Sequence, residues 1–175
     1  VAMAFTADFN GDGMPDSVIA ARAAGLTTGM VYAFESGTDL SGDFAASDAD
    51  RILTGVGAGA RTGEAIATPG DIDGDGSDDL LVGAPRRNLS GDRRGAAYLI
   101  TELGTGNIDS VAEVELRGKT EQGHFGSALS GTGDLDGSGP GIAVGAPNAG
   151  EGSVCLFAGG LSGTYNTDDA IGTVT

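Results

Sequence analysis

The strongest constraint on this chain is a short acidic loop that recurs at a fixed interval. Asp71-Ile-Asp-Gly-Asp-Gly-Ser-Asp-Asp79 carries carboxylates at positions 1, 3, 5 and 9 and runs directly into Leu80, Leu81 and Val82. Asp8-Phe-Asn-Gly-Asp-Gly-Met-Pro-Asp16 begins 63 residues earlier, and Asp134-Leu-Asp-Gly-Ser-Gly-Pro140 begins 63 residues later. One loop per long period means stacked supersecondary units, none of which can bury its apolar surface alone.

Carboxylates crowded into one tight turn repel one another unless a cation neutralises them. Calcium suits such a turn, because it takes about six to eight oxygens and accepts carboxylate, amide and carbonyl ligands together. In the first loop Asp8, Asn10, Asp12 and Asp16 offer side-chain oxygens and Met14 a backbone carbonyl. In the second, Asp71, Asp73, Asp75 and Asp79 do so, with Ser77 as the carbonyl donor. Gly13 and Gly76 hold position 6, where the chain must turn back around an ion. The loops are not EF-hands: position 12 is Ile19 or Val82 within a strand-like run, not the bidentate glutamate. Asp78 has the opposite strand parity from Asp79 and is expected to be exposed or to stand behind the ligands. The third loop offers Asp134, Asp136, Ser138 and Pro140; with serine at position 5 and no closing aspartate, its occupancy stays open. Magnesium fits less well because it keeps its waters, and a cage closed by one hairpin leaves no open position for catalysis. The ions are therefore expected to be structural, the alternative being acidic surface turns without metal.

The sequence around the loops reads as short strands and turns. The first unit predicts strands at 2–6, 17–21, 30–34 and 51–53; the second at 64–68, 79–83, 96–101 and 111–116; the third at 127–130, 141–145, 153–157 and 170–174. Ile19 to Gly25 reads as strand plus turn. The expected fold is all-β, with units 1–59, 60–122 and 123–175 forming propeller blades of four antiparallel strands. About three blades are too few to close a ring, so the chain is expected to belong to a larger propeller or one completed by association. Aligned on the loops, Val1 falls opposite Glu64 and Ser127, inside a blade motif.

Charge and composition narrow the partners. Twenty-five acidic residues against one lysine and eight arginines give a formal charge of -16, which disfavours nucleic acid and anionic membranes. No apolar stretch approaches the length of a membrane span, and no signal peptide is recognisable. The 33 glycines lack a three-residue period and mark turns. Cys155, the single cysteine, lies among Val154, Leu156 and Phe157 and reads as a buried core thiol. The one histidine, His124, precedes Phe125 and reads as a turn or packing residue; neither a serine-nucleophile elbow nor a phosphate loop occurs, so no active site is expected. Asn88-Leu-Ser90 has the shape of a glycosylation acceptor or, more simply, an exposed turn.

Phe125-Gly-Ser-Ala-Leu, then Asp134-Leu-Asp-Gly, then Gly145-Ala-Pro147 resembles the FG-GAP repeat of the integrin alpha-subunit β-propeller and its bacterial and archaeal relatives. The second unit resembles it too, through Gly63-Glu-Ala-Ile, the Asp71 loop, Gly83-Ala-Pro85 and Gly95-Ala-Ala-Tyr, with Thr62 where phenylalanine is usual. In the first unit Ala20-Ala21-Arg22 replaces Gly-Ala-Pro. The resemblance implies a seven-bladed family fold, with calcium loops joining the first and second strands of blades on the face opposite the usual ligand surface. It implies an extracellular or cell-surface adhesion or scaffold module that binds protein or glycan. Alternatives are a non-catalytic propeller beside a phospholipase-like or polysaccharide-acting enzyme, and a self-assembling surface or filament subunit. Further blades would come from additional sequence or from homo-oligomerisation.

Overall fold

The structure is a computed structural model that describes residues 2–24, 28–38, 43, 45–89 and 91–175. In chain order its strands are β1 (Ala2–Ala7), β2 (Asp16–Ala21), β3 (Met30–Phe34), β4 (Arg51–Thr54), β5 (Ile66–Gly70), β6 (Asp79–Ala84), β7 (Asn88–Leu89), β8 (Asp92–Arg93), β9 (Ala96–Ile100), β10 (Gly106–Asn107), β11 (Val114–Arg117), β12 (Ala128–Asp134), β13 (Pro140–Ala146), β14 (Ser153–Phe157), β15 (Gly163–Asn166) and β16 (Gly172–Val174). One short helix, α1 (Ile108–Val111), and two single 3-10 turns, Ala46–Asp48 and Thr167–Asp169, interrupt them. The architecture is all-β.

Three sheets carry the fold. The first orders its strands β1-β2-β3-β4-β10, the second β15-β11-β9-β6-β5 and the third β12-β13-β14-β16, while β7 and β8 form a separate hairpin. Within each sheet the four sequential strands are antiparallel neighbours, as short hairpin connections require. Strand positions follow the sequence reading to within a few residues, and β3 and β14 match it at both ends.

The expectation of four antiparallel strands per sheet needs correcting in the first two. Each gains a fifth strand, and it runs parallel: β10 lies along β4, and β15 lies along β11. After its third strand, the chain of the following unit crosses to the outer edge of the preceding sheet. There it satisfies backbone groups that an edge strand leaves unpaired. A capped turn then returns it. The Asn107 side chain accepts from the Asp109 amide at the start of α1, and the Asn166 side chain accepts from the Asp168 amide at the Thr167–Asp169 turn. That return explains why Val111, expected in a strand, ends α1, and why Ala170 and Ile171 precede β16.

The core lies between sheets. Val18, Val31 and Leu53 of the first sheet share one apolar cluster with Leu80, Val82, Tyr98 and Ile100 of the second. The alternate residues Leu81, Ala97, Leu99 and Leu116 share another with Ile142, Val144 and Phe157 of the third. Successive strand residues point to opposite faces, so covering both faces buries every residue of β6 and β9. Phe125 meets Phe157 edge to face, with ring centroids 6.3 Å apart. Cys155 is buried in this second cluster, as its apolar neighbours led us to expect, and burial pushes its thiol pKa up.

Candidate metal centres

The second loop joins β5 to β6, with Gly70 paired to Asp79 across its base. Its backbone is wound around the Asp71 carboxylate. Oδ1 of Asp71 accepts from the amides of Gly74 (2.6 Å) and Asp75 (3.1 Å), and Oδ2 accepts from Gly76 (3.0 Å). Gly76, at φ +97°, provides the reversal that a residue with a side chain would resist. Asp73 accepts from the Asp75 amide, and Asp75 accepts from the Ser77 amide at 2.7 Å.

Asp79 is the unusual member. It opens an apolar strand and is fully buried, its Oδ2 accepting from the Ile72 amide at 2.6 Å. Its Oδ1 has no hydrogen-bond partner. Burial, assisted by the charges of Asp73, Asp71 and Asp75, raises its pKa to about 7. One carboxylate oxygen from each of Asp71, Asp73 and Asp79 lies within 4.8 Å of the others. Among the described residues this is the one such grouping of three acids, and Asp75 is outside it. A desolvated carboxylate with an orphaned oxygen beside two more acids fits a hard divalent cation, which would supply the missing partner and cancel the repulsion.

The first loop has the same winding but a different closure. Asp8 accepts from the amides of Asp12 (3.0 Å) and Gly13 (2.7 Å), and Asp12 accepts from that of Met14 (2.8 Å). Asp16, buried at the start of β2, has both oxygens partnered, by the amides of Phe9 (3.0 Å) and Ser36 (2.7 Å). Burial raises its pKa. The Ser36 hydroxyl donates to Asp12 at 2.7 Å, and this bond holds the Asp12 pKa down. Asn10 donates to the same carboxylate through Nδ2, at 3.3 Å. Ser36 escaped the sequence reading because it lies beyond β3, 20 residues from Asp16, and no local pattern marks it.

The third loop is open and exposed. Asp134 accepts from the amides of Asp136 and Gly137, and Asp136 accepts from both the amide and the hydroxyl of Ser138. Pro140 lies opposite Asp134 at the start of β13, and Gly141 follows where the other loops place their buried closing aspartate.

Asp78 has a specific partner. Its Oδ2 accepts from the Asp8 amide at 2.9 Å, while its own amide donates to the Asp8 carbonyl at 2.7 Å. The acid expected to be exposed or behind the ligands therefore ties the first loop to the second. His124 sits at φ +56° in the turn before Phe125, its Nδ1 3.1 Å from Asn148 Nδ2, and Arg61 takes the equivalent left-handed position before Thr62. Asn88 is exposed on the β7 hairpin; Ser90 of the acceptor-shaped tripeptide lies outside the described residues.

Fold and loops together define a class: an all-β repeat protein whose first hairpin in each unit carries an acidic, cation-type loop. Residues 62–100 match the FG-GAP repeat. Similar proteins include integrin alpha-5 of Xenopus laevis, 34% identical over 152 residues that make up 79% of this chain and 14% of that protein. Integrin alpha-V of Gallus gallus is 35% identical over 166 residues, 89% of this chain and 15% of its own. Integrin alpha pat-2 of Caenorhabditis elegans is 40% identical over 105 residues, 55% of this chain and 8% of its own. The chain thus spans a small part of the length of these relatives. It carries an FG-GAP repeat and is integrin-alpha-like over most of its own length.

Proposed function

We propose that this chain is a calcium-stabilised part of an extracellular β-propeller with an adhesion or scaffold role, presenting loops to a protein or glycan ligand. In this reading residues 1–59, 60–122 and 123–175 are blades. Asp71, Asp73, Asp75 and Asp79, with the Ser77 carbonyl, hold one ion. Asp8, Asn10, Asp12 and Asp16, with the Met14 carbonyl, hold a second. Asp134, Asp136, Ser138 and Pro140 form a weaker third site. The observation that carries the reading is the buried Asp79 carboxylate, whose unpartnered Oδ1 stands in a group with Asp71 and Asp73.

A bound ion would neutralise the loop and fix the β5–β6 hairpin, and thereby the strands that pack against both neighbouring sheets. Similarity to integrin alpha subunits supports the adhesion role and the extracellular setting. Among the described residues, no helix is long and apolar enough to cross a membrane. Calorimetric titration of the chelator-treated chain tests the proposal: two strong calcium sites are expected, with magnesium a poor competitor. Absence of calcium binding would overturn it.

A further inference from the structure

One substitution between equivalent rows of two sheets decides how much space lies between the second sheet and the third. Immediately before Gly83, Val82 stands in a row with Tyr98 and Glu115; immediately before Gly145, Val144 stands in a row with Cys155 and Thr173. Tyr98 is fully buried against the first sheet, its hydroxyl 3.5 Å from Glu115 Oε1. Cys155 occupies the corresponding place against the second sheet with a much smaller side chain, and the Thr173 hydroxyl lies 4.0 Å from its sulfur. A cleft of about 350 Å³ opens beside Cys155, between the second sheet and the third. That volume falls within the roughly 300–1,000 Å³ of small-ligand sites.

The cleft has an apolar floor and a polar wall. Phe125, Ala146 and Cys155 are each at most 3% exposed, while Thr120, Ser153 and Thr167 line the cleft with hydroxyls. Arg94 and Lys119 also line it, in a chain with only nine cationic side chains against 25 acidic ones. The backbone of Arg94 is pinned: its carbonyl accepts from the Phe125 amide at 3.1 Å, and a Cβ on Gly118 would come 2.5 Å from the same oxygen. Its Nη2 reaches Asp92 at 3.3 Å, but its buried Nε has no hydrogen-bond partner. Lys119 pairs with the exposed Asp168. Arg94, Gly118 and Lys119 line a second cleft as well, of about 370 Å³, to which Arg117 and Asn166 contribute. Two adjoining clefts therefore share one cationic wall. It lies at the end of the second sheet where Ala84, Ala96 and Arg117 pair, opposite the end that holds Asp79.

We propose that the first cleft binds a uronate residue of an acidic glycan. Arg94 and Lys119 take the carboxylate, the three hydroxyls take sugar hydroxyls, and the apolar floor takes the C–H face of the ring. The neighbouring sugar lies in the second cleft beside Arg117. An unpartnered guanidinium N–H calls for a charged acceptor, and the surrounding hydroxyls suit a polyol better than the lone carboxylate of an acidic peptide. The overall charge of -16 repels extended polyanions, so the fit is to a short acidic segment held in a cleft. The inference rests on the reading of this chain as a binding module for protein or glycan, and narrows the ligand to one chemistry at one place.

NMR titration of the calcium-loaded chain with methyl glucuronoside, its methyl ester and methyl glucoside tests the proposal. The free acid alone is expected to shift the amides of Gly118, Gly123 and Ser153, and a glucuronate-containing tetrasaccharide is expected to bind at least about tenfold more tightly. Arg94→Gln should weaken binding by about tenfold or more, and Lys119→Gln by about threefold. Asp168→Asn, which releases Lys119 from its competing carboxylate, should tighten it. Cys155→Tyr, which rebuilds the Tyr98 arrangement, should abolish it. Should that variant not fold, the exposed Lys119 and Asp168 positions keep the test decisive. Absence of these shifts, equal binding of the ester or the glucoside, or unchanged affinity in both Lys119→Gln and Asp168→Asn would overturn the proposal. Tighter binding of N-acetylaspartyl amide than of the glucuronoside would overturn it in favour of an acidic peptide. Each of these failures is separable from the calcium titration, which reads the loops at the other end of the sheets.

Discussion

Asp79 concentrates the chemistry of the chain in one side chain. Without metal its folded pKa, about 7, lies above the unfolded value of about 3.9, so the folded state binds the extra proton. The unfolded chain then holds fewer protons between these values, and the Asp79 contribution to stability falls as pH rises from about 4 to about 7. Melting of the chelator-treated chain at pH 5 and pH 8 should therefore show a loss at the higher pH. Asp79→Asn should flatten that dependence while weakening calcium binding at least about tenfold, the loss of one charged ligand. A pH profile identical in the variant would contradict this role. Asp75 and Asp78 separate ligation from architecture. Asp75→Asn should lower calcium affinity with little change in metal-free stability. Asp78→Ala should lower metal-free stability by about 1–3 kcal/mol, because it strands the part-buried Asp8 amide. Urea unfolding of both variants without calcium distinguishes them, and equal losses would contradict the assignment.

At the scale of elements, the sequence made the hairpins plain and the crossings obscure. Position 9 of each good loop coincides with the start of an apolar strand, so Asp16 and Asp79 marked both a candidate ligand and the first residue of β2 or β6. The four antiparallel strands follow from short connections and β-branched runs, which are local signals. The parallel additions β10 and β15 are only 2 and 4 residues long and carry glycine, threonine, tyrosine and asparagine without apolar alternation. Their structure comes from a distant edge strand, and nothing within them announces it. The Asp78 bridge was hidden for the same reason, since strand parity shows that it avoids the side of Asp79 but not that Asp8 lies opposite. Ser36 likewise joins the first loop only through tertiary folding.

The whole molecule is held by what lies between its sheets, and stability should be distributed accordingly. Among the described residues the second sheet is covered on both faces and the third on one. Leu81→Ala, in the doubly covered strand β6, should cost about 2–5 kcal/mol. Val174→Ala, at the exposed edge of the third sheet, should stay within about 0.5 kcal/mol. Similar losses in denaturant unfolding would mean that the sheets do not stack as described. The excess of acid over base, -16 overall, adds repulsion that bound calcium would relieve at the loops. An adhesion or scaffold role of the kind proposed requires calcium in the loops beginning at Asp8 and Asp71. Anomalous diffraction from crystals grown with calcium tests it most directly. One peak is expected within about 2.3–2.6 Å of the Asp71, Asp73 and Asp79 oxygens, and a second in the Asp8 loop. Ordered loops with no anomalous peak at either position would contradict it.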